Sequence, residues 1–258
     1  MSHWFELASP TVFILLSLLY VGSGLLLFWV VFHSPLRRHI AGSAGITGLD
    51  TTVAVLFALL TGFLASDIGE RNKQAVRAVQ TEVSELRNIY TLSIASKSDM
   101  QAIRALLRRY VESTATQEWP AMARQTSAPE TSAIYDQLLR EISDPAIAQG
   151  SGEAVHLALL QATVRAGTAR SERLTLASDR TNTLKWITVL ALGLITQIAI
   201  GVMDLERPRA HVTALVVFST AAVVALGLIA LQEHPFDGVF RISPAPLLDL
   251  LKVMAPPG

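Results

Sequence analysis

The chain contains no cysteine, which excludes disulfide bonds, thiolate metal sites and a cysteine nucleophile. Charge is also scarce, because only 16% of the 258 residues are Asp, Glu, Lys or Arg. Neither sign dominates: Lys plus Arg and Asp plus Glu both total 21, and none of the six His lies in a ligand-like cluster. We therefore expect no nucleic-acid partner and no metal site. Apolar residues make up 51% of the chain, and the mean hydropathy is +0.42. This composition is too apolar for an ordinary soluble domain.

The sequence also lacks the short motifs of common enzyme sites. It has no glycine-rich phosphate loop, no H-E-x-x-H and no nucleophile elbow, and it shows no internal repeat or low-complexity tract. We expect neither an enzyme nor a bound cofactor.

Four long apolar runs are present instead. They cover residues 11–32, about 46–66, 186–203 and 210–232. Each has the roughly 20 residues that a helix needs to cross about 30 Å of hydrocarbon. Because backbone groups at an open sheet edge cannot be satisfied in lipid, all four are predicted to be helices. The first run has no Lys or Arg before it and is longer than a signal-peptide core, so we expect it to be retained.

The four runs pair into hairpins on either side of a polar insert. An N-terminal hairpin takes residues 1–66, the insert 67–185, a C-terminal hairpin 186–232, and a turn and tail 233–258. The insert carries 15 Lys and Arg and 14 Asp and Glu, which predicts a nearly neutral, water-facing block. An even number of spans places both termini on the side of that block.

The orientation in the membrane depends on basic residues near the helix ends. Arg37, Arg38, Arg207 and Arg209 favour hairpin connections in the cytoplasm, whereas a larger set of basic residues flanks the insert. On balance we predict a bacterial inner-membrane protein with the insert and both termini in the cytoplasm.

Helical periodicity dominates the insert. Val76, Val79, Val83, Leu86 and Tyr90 recur at steps of three and four, which predicts one apolar stripe on a helix. No proline interrupts this stretch, so the second span is predicted to continue into the insert, with Gly69 as its one candidate kink.

Three further helices complete the predicted insert. The first begins at Ser98, where Ser98 and Gln101 fit a capping box, and ends near Trp119 and Pro120. The next begins at Pro129 and stops around Asp144, and the last begins at Glu153 and runs into the third span. Its inward side chains are predicted to be Leu157, Leu160, Val164 and Leu174. The predicted fold is all-α: four transmembrane helices with an antiparallel helical bundle inserted between helices two and three.

Small residues follow one face of the second span. Asp50, Ala54, Ala58, Gly62 and Ser66 are each four positions apart. Such a face suits the wall of a pore, because a narrow conduit needs small side chains and a ring of acids biases ion entry. Close packing against a neighbouring helix is the commoner use of such a pattern and is the alternative. Asp50 lies near the membrane surface, where an acid either marks a pathway or is simply solvated.

Gln197 places an amide near the middle of the third span. A buried amide needs hydrogen-bond partners, so this side chain is predicted to face the bundle interior, either joining helices or lining a pathway. Arg170 and Arg173 are interpreted as a solvated face of their helix, with contact to lipid headgroups or a role in gating as the alternative.

Several stretches together resemble the bestrophin-like family of bacterial membrane proteins. They are FALLTGFLAS leading into ERNKQAVRAVQTEVSELRNIY with Glu82 at the family's acidic position, EWPAM with Glu118, Trp119 and Pro120, ARSERL with Arg170 and Arg173, and HPFDG followed by SPAPL. Each stretch is short, but together they follow the family's order over residues 57–247.

The resemblance implies a homo-oligomeric ion channel, typically for anions, with a cytosolic helical vestibule and a pore along the second helices. Its expected partners are the lipid bilayer, further copies of the chain and small ions. Glu233, Pro235, Phe236, Asp237 and Gly238 are similar to the turn that follows the last membrane helix of bestrophins. Pro235 is expected to end that helix, Gly238 to permit the turn and Phe236 to plug apolar surface at the membrane edge. VFRIS lacks the run of acids of the animal calcium clasp, so no calcium site is predicted.

Two other classes of function fit the same sequence. One is a membrane-anchored helical module that binds a partner or senses the membrane and conducts nothing. The other is an ion-driven motor or energising subunit, which needs a protonatable group deep in the membrane, whereas Asp50 is shallow.

Overall fold

A computed structural model describes residues 3–33, 49–96, 98–124, 126, 128–179, 183–203 and 208–255. These ranges contain helices and no strand, in the order α1 (His3–His33), α2 (Leu49–Ala95), α3 (Gln101–Ser113), a π-helix (Thr114–Glu118), α4 (Trp119–Ala123), α5 (Pro129–Ile142), α6 (Pro145–Ser151), α7 (Glu153–Ser178), α8 (Thr183–Met203), α9 (Pro208–Ala230) and α10 (Ala245–Val253). The predicted all-α fold class is confirmed.

Within the described ranges, four stretches of helix are long and apolar enough to cross a membrane. They correspond to α1, the first part of α2, α8 and α9, which are the four predicted spans, and the chain is an integral membrane protein. The connections that hold Arg37, Arg38 and Arg207 lie outside the described residues, as does the beginning of the second predicted span at 46–48.

The chain divides into two compact units. The membrane unit contains α1, α2 up to Glu70, α8 and α9. Its core is formed by side chains from all four helices: Leu16, Tyr20, Phe57, Leu64, Ile68, Val189, Ala222, Val223 and Leu226. A side chain at Gly193 of α8 would collide with the Tyr20 hydroxyl and lie tightly against the Phe57 ring. The absence of a side chain at Gly193 therefore makes room for Tyr20 and Phe57 in the core of this unit.

The bundle unit contains α2 from Arg71 onward, α3 to α7 and α10. Its core includes Leu86, Ile103, Leu107, Leu138 and Leu159, all at most 5% exposed. The short helix α10, which the sequence analysis treated as a tail, packs Leu247 and Leu250 into the same core. The tail therefore belongs to the packed core of the bundle.

The helix α2 runs for 47 residues without interruption. It stays helical through Gly69, where the sequence places its one candidate kink. The predicted continuity of the other junction is wrong at Asp179, since α7 ends at Ser178 and Asp179 has an extended backbone. Residues 180–182, between α7 and α8, lie outside the described ranges.

Some details of the bundle differ from the prediction. The capping box is wrong: α3 begins at Gln101, and the Gln101 amide donates to Asp99 instead of Ser98. Helical structure also passes through Trp119 and Pro120 and ends only at Ala123.

The inward face of α7 matches the prediction only in part. Leu160 and Leu174 pack against the bundle core as predicted, whereas Leu157 and Val164 are 54% and 55% exposed. Leu159, Ala162 and Ala166 are buried instead. The buried face of this helix is therefore made mainly of small residues, and α5 approaches it closely. At Gly167, for example, a side chain would collide with Tyr135 of α5.

Candidate functional site

Arg173 lies at the centre of a buried ion-pair cluster in the bundle unit. Its side chain is 0% exposed, and Nε donates to Glu82 Oε2 at 2.7 Å. Nη2 donates to Glu82 Oε1 at 3.1 Å and to Glu118 Oε1 at 2.7 Å. Nη1 contacts Met122 Sδ at 2.9 Å. One guanidinium therefore joins three segments of chain that are far apart in sequence.

The second arginine completes the cluster. Arg170 donates to Glu118 through Nε, at 3.0 Å from Oε2, and through Nη2. Nη2 also donates to Ser132 Oγ at 2.9 Å. Tyr110 donates its hydroxyl to Glu82 Oε1 at 2.7 Å. The two carboxylates and two guanidiniums carry no net charge, and each is paired.

Local backbone geometry explains how Glu118 reaches both arginines. It ends the π-helix Thr114–Glu118, in which the Trp119 amide donates to Thr114 O, five residues back. Pro120 follows Trp119. Because proline has no amide hydrogen, a regular α-helix is disfavoured at this point. The wider π turn accommodates Pro120 and leaves Glu118 0% exposed inside the bundle. Arg170 and Arg173 lie on one face of α7 because they are three residues apart.

Trp119 connects this cluster to the turn near the C-terminus. The Arg173 guanidinium lies 5.2 Å from the centroid of the Trp119 ring, within cation–π range. The Phe236 ring meets Trp119 edge to face at 5.5 Å, and Trp119 Nε1 donates to Ile242 O at 3.2 Å. Phe236 is thus part of the bundle core, and the role at the membrane edge stays a prediction.

The electrostatics follow from burial and pairing. Burial alone would lower the pKa of Arg173, but the charge of Glu82 and its hydrogen bonds outweigh it, so the pKa lies above its ordinary value. Burial, reinforced by the charge of Glu82, raises the pKa of Tyr110 well above 10. Both arginines therefore stay charged and Tyr110 stays a donor at physiological pH. The interpretation of Arg170 and Arg173 as a solvated or lipid-contacting face is wrong, because their partners are buried carboxylates.

The predicted turn after the last membrane helix also contains Glu233, Pro235, Asp237 and Gly238. Gly238 has φ +85°, the left-handed region that favours glycine, as expected for the turn. The helix α9 ends at Ala230, before Pro235, so Pro235 does not terminate it. Trp186 Nε1 donates to Glu233 Oε1 at 3.3 Å within the membrane unit. Asp237 N donates to His234 O at 3.3 Å.

The predicted small-residue face of the second span lies on the apolar part of α2. Ala58, Gly62 and Ser66 are exposed and Ala54 is half-buried. Phe57, Leu64 and Ile68, on another side of the helix, are buried in the membrane core. Asp50 belongs to the first turn of α2, but its side chain lies outside the described part of the structure.

Gln197 lies away from this face, inside the membrane unit. Nε2 donates to Tyr20 O at 2.6 Å and to Ser219 Oγ at 3.0 Å, while Oε1 accepts from Ser23 Oγ at 2.6 Å. The amide thereby joins α8 to α1 and α9, as the helix-joining interpretation expects. Among described residues, no group of three or more His, Asp or Glu side chains could hold a metal ion.

Sequence reasoning missed three members of the cluster: Tyr110, Met122 and Ser132. A signal was available at Glu82, because this acid lies between Val79 and Leu86 on the apolar stripe. A charge on the buried face of a helix requires an opposite charge nearby.

Comparison with known proteins identifies the class. The family model of the Bestrophin-like domain matches residues 18–247. The chain therefore belongs to the bestrophin-like family, and it is a membrane protein of the bestrophin type.

Solved structures share the fold. A point variant of a bacterial bestrophin homologue from Klebsiella pneumoniae superposes with a TM-score of 0.67 at 13% identity, covering 95% of this chain and 97% of that one. Another variant of the same homologue gives 0.67 at 14%, covering 93% and 97%. A crystal structure described as a membrane protein gives 0.68 at 14%, covering 93% and 94%. No curated protein matches the sequence.

Proposed function

We propose that the chain forms a homo-oligomeric ion channel whose pore is lined by the small-residue face of α2. The observation that carries this proposal is the exposure of Ala58, Gly62 and Ser66 on a membrane helix whose opposite side is packed in the core. Side chains this small leave room for a pore when several copies of the chain turn this face of α2 toward a common axis. Asp50, one turn before Ala54, would form a ring of acids at one end.

Family membership supports an anion as the conducted ion, while an acidic ring at Asp50 favours cations. These two arguments give opposite signs of selectivity, which one measurement separates. Purified protein is reconstituted in vesicles with a potassium chloride gradient, and the reversal potential is recorded. A reversal potential near the chloride equilibrium potential is expected. A reversal potential near the potassium equilibrium potential would show cation selectivity and would still support a channel.

The channel itself is tested in the same vesicles. Ion flux above that of empty vesicles is expected over a range of voltage and pH, and particles in detergent or lipid are expected to form a closed ring with α2 inward. A single chain with no flux under any condition contradicts the proposal.

A second candidate is a membrane-anchored interaction module. The exposure of Leu157 and Val164 on α7 favours it, because apolar side chains at such exposure suit a partner helix. This candidate predicts a monomer without flux whose bundle retains a second protein.

The proposed location is the bacterial inner membrane, with the bundle and both termini in the cytoplasm. The basic residues flanking the bundle support this orientation. A phosphatase that is active only in the periplasm, fused after Gly258, is expected to stay inactive, and an active fusion would invert the orientation.

A further inference from the structure

We propose that a groove between α2 and α8 binds an aminophospholipid, with its headgroup on the Asp67–Lys185 pair and one acyl chain along the apolar wall. The groove lies wholly within the membrane unit and has a volume of about 430 Å³. This is the size of typical sites for small molecules, which are about 300–1,000 Å³. The proposal concerns a lipid site and is independent of whether the chain conducts ions.

The wall of the groove matches a hydrocarbon chain. Leu60, Phe63 and Leu64 of α2 face Leu184, Thr188 and Val189 of α8. Thr188 adds no unsatisfied donor, since its hydroxyl donates to Leu184 O at 2.7 Å. Phe63 and Leu184 are 62% and 67% exposed, so the groove opens on the surface of the unit.

The charged end of the groove matches a headgroup. Lys185 Nζ lies 2.7 Å from Asp67 Oδ2, and the two side chains are 49% and 39% exposed. Each therefore has room for a further partner. A phosphate can accept from the Lys185 ammonium, and a primary ammonium can donate to the Asp67 carboxylate. Phosphatidylethanolamine carries both groups, whereas a choline headgroup has no N–H donor and a glycerol headgroup has no cation.

The position of the pair along the chain fits the membrane surface. Asp67 is the first charged residue after the apolar run of α2, and Lys185 directly precedes that of α8. Trp186, an aromatic type enriched at the membrane–water boundary, follows Lys185. At about 100° per residue, the groove lies roughly 150° around α2 from Ala58, Gly62 and Ser66. A subunit that turns this small-residue face inward therefore keeps the groove away from the pore axis.

Native mass spectrometry tests the site in the full chain. Protein is equilibrated with mixed micelles of phosphatidylethanolamine, phosphatidylcholine or phosphatidylglycerol with identical acyl chains, and retained lipids are counted. Preferential retention of phosphatidylethanolamine is expected. Lys185→Gln and Asp67→Asn should each lower it roughly tenfold, the factor that corresponds to one lost charge-assisted hydrogen bond.

A matched pair of variants separates the groove from the general lipid surface. Thr188→Trp fills the groove and should abolish the preference. Thr220→Trp makes the same change on α9 at an exposed threonine whose hydroxyl likewise donates to the carbonyl four residues back, and it should have no effect. Size-exclusion profiles identical to wild type show that both variants are folded.

Three results would overturn the proposal. One is equal retention of the three lipids, and another is an equal effect of Thr188→Trp and Thr220→Trp. The third is a cross-link between two Thr188→Cys chains in vesicles without any lipid preference, which would assign the groove to a second copy. Because the chain has no cysteine of its own, such a cross-link can form only through the introduced residue.

Discussion

At the scale of single residues, the buried guanidinium of Arg173 joins three segments of the bundle. Replacing Arg173 with Met leaves Glu82 and Glu118 buried with a partner removed from each. Removing one member of a buried ion pair costs about 3–5 kcal/mol. We expect Arg173→Met to lower the free energy of unfolding by that amount, measured by denaturant titration in detergent with circular dichroism.

The control for this prediction is an exposed pair on the same two helices. Arg165 Nε donates to Glu85 Oε1 at 2.9 Å, and the Arg165 and Glu85 side chains are 54% and 14% exposed. Arg165→Met should cost at most about 1 kcal/mol. Adding Glu82→Gln to Arg173→Met should recover part of the loss, since one uncompensated buried charge is removed. Equal, small losses for Arg173→Met and Arg165→Met would show that the cluster is not stabilising.

Gly167 is a second residue with a specific physical requirement. A methyl group there would collide with the Tyr135 hydroxyl and ring, while that hydroxyl donates to Thr163 O at 3.0 Å. Gly167→Ala should destabilise the bundle by about 1–3 kcal/mol, the usual cost of overpacking. Thermal unfolding of Gly167→Ala with and without Tyr135→Phe checks the cause. If the double variant is no more stable than Gly167→Ala alone, contact with the hydroxyl is not the reason.

At the scale of secondary-structure elements, the continuity of α2 can be tested by a single substitution at Gly69. It is helical from Leu49 to Ala95, and no atom lies within 4 Å of a side chain added at Gly69. Gly69→Ala should be neutral or stabilise by up to about 1 kcal/mol, because alanine loses less backbone entropy. Gly69→Pro should cost about 3 kcal/mol or more, because it removes a hydrogen bond and clashes with the preceding turn.

Circular dichroism of both variants measures this difference. A wild-type helix that is already interrupted at Gly69 would tolerate proline almost as well as alanine, and that outcome would contradict the continuous helix.

Most helices could be predicted from sequence, and the reasons for the misses are physical. Apolar length alone fixes α1, α8 and α9, because lipid leaves the backbone few alternatives. Pro129 and Glu153 mark the starts of α5 and α7 as predicted. The face of α7 could not be predicted in full, since close packing buries Ala162 and Ala166 and leaves the larger Leu157 exposed. The distance between α7 and its neighbouring helices determines which face is buried, and sequence periodicity carries no information about that distance.

The cluster could be predicted only in part. Resemblance to the family selected Glu82, Glu118, Trp119, Arg170 and Arg173, but not their mutual contact. That contact depends on the π-helix before Pro120, which has no recognised sequence pattern beyond the proline itself. It also depends on a tertiary approach that brings Phe236 onto Trp119 across more than a hundred residues.

At the scale of the whole molecule, the proposed pore predicts a difference between two exposed alanines. Ala58 lies on the small-residue face of α2 and Ala221 on the surface of α9. Ala58→Leu should reduce ion flux in vesicles strongly, because a ring of larger side chains narrows the conduit. Ala221→Leu adds the same volume toward lipid and should leave the flux unchanged. Equal flux in both variants would place the pore elsewhere than along this face of α2.

The neutral cluster has a consequence for the media that the bundle tolerates. The screening length falls from about 10 Å at 0.1 M salt to about 3 Å at 1 M, so exposed pairs weaken as salt is added. Arg173 and its two carboxylates are at most 1% exposed, so dissolved ions screen this cluster far less than an exposed pair. The contact of α2 with α7 at Arg173 should therefore weaken less with added salt than the exposed contact at Arg165.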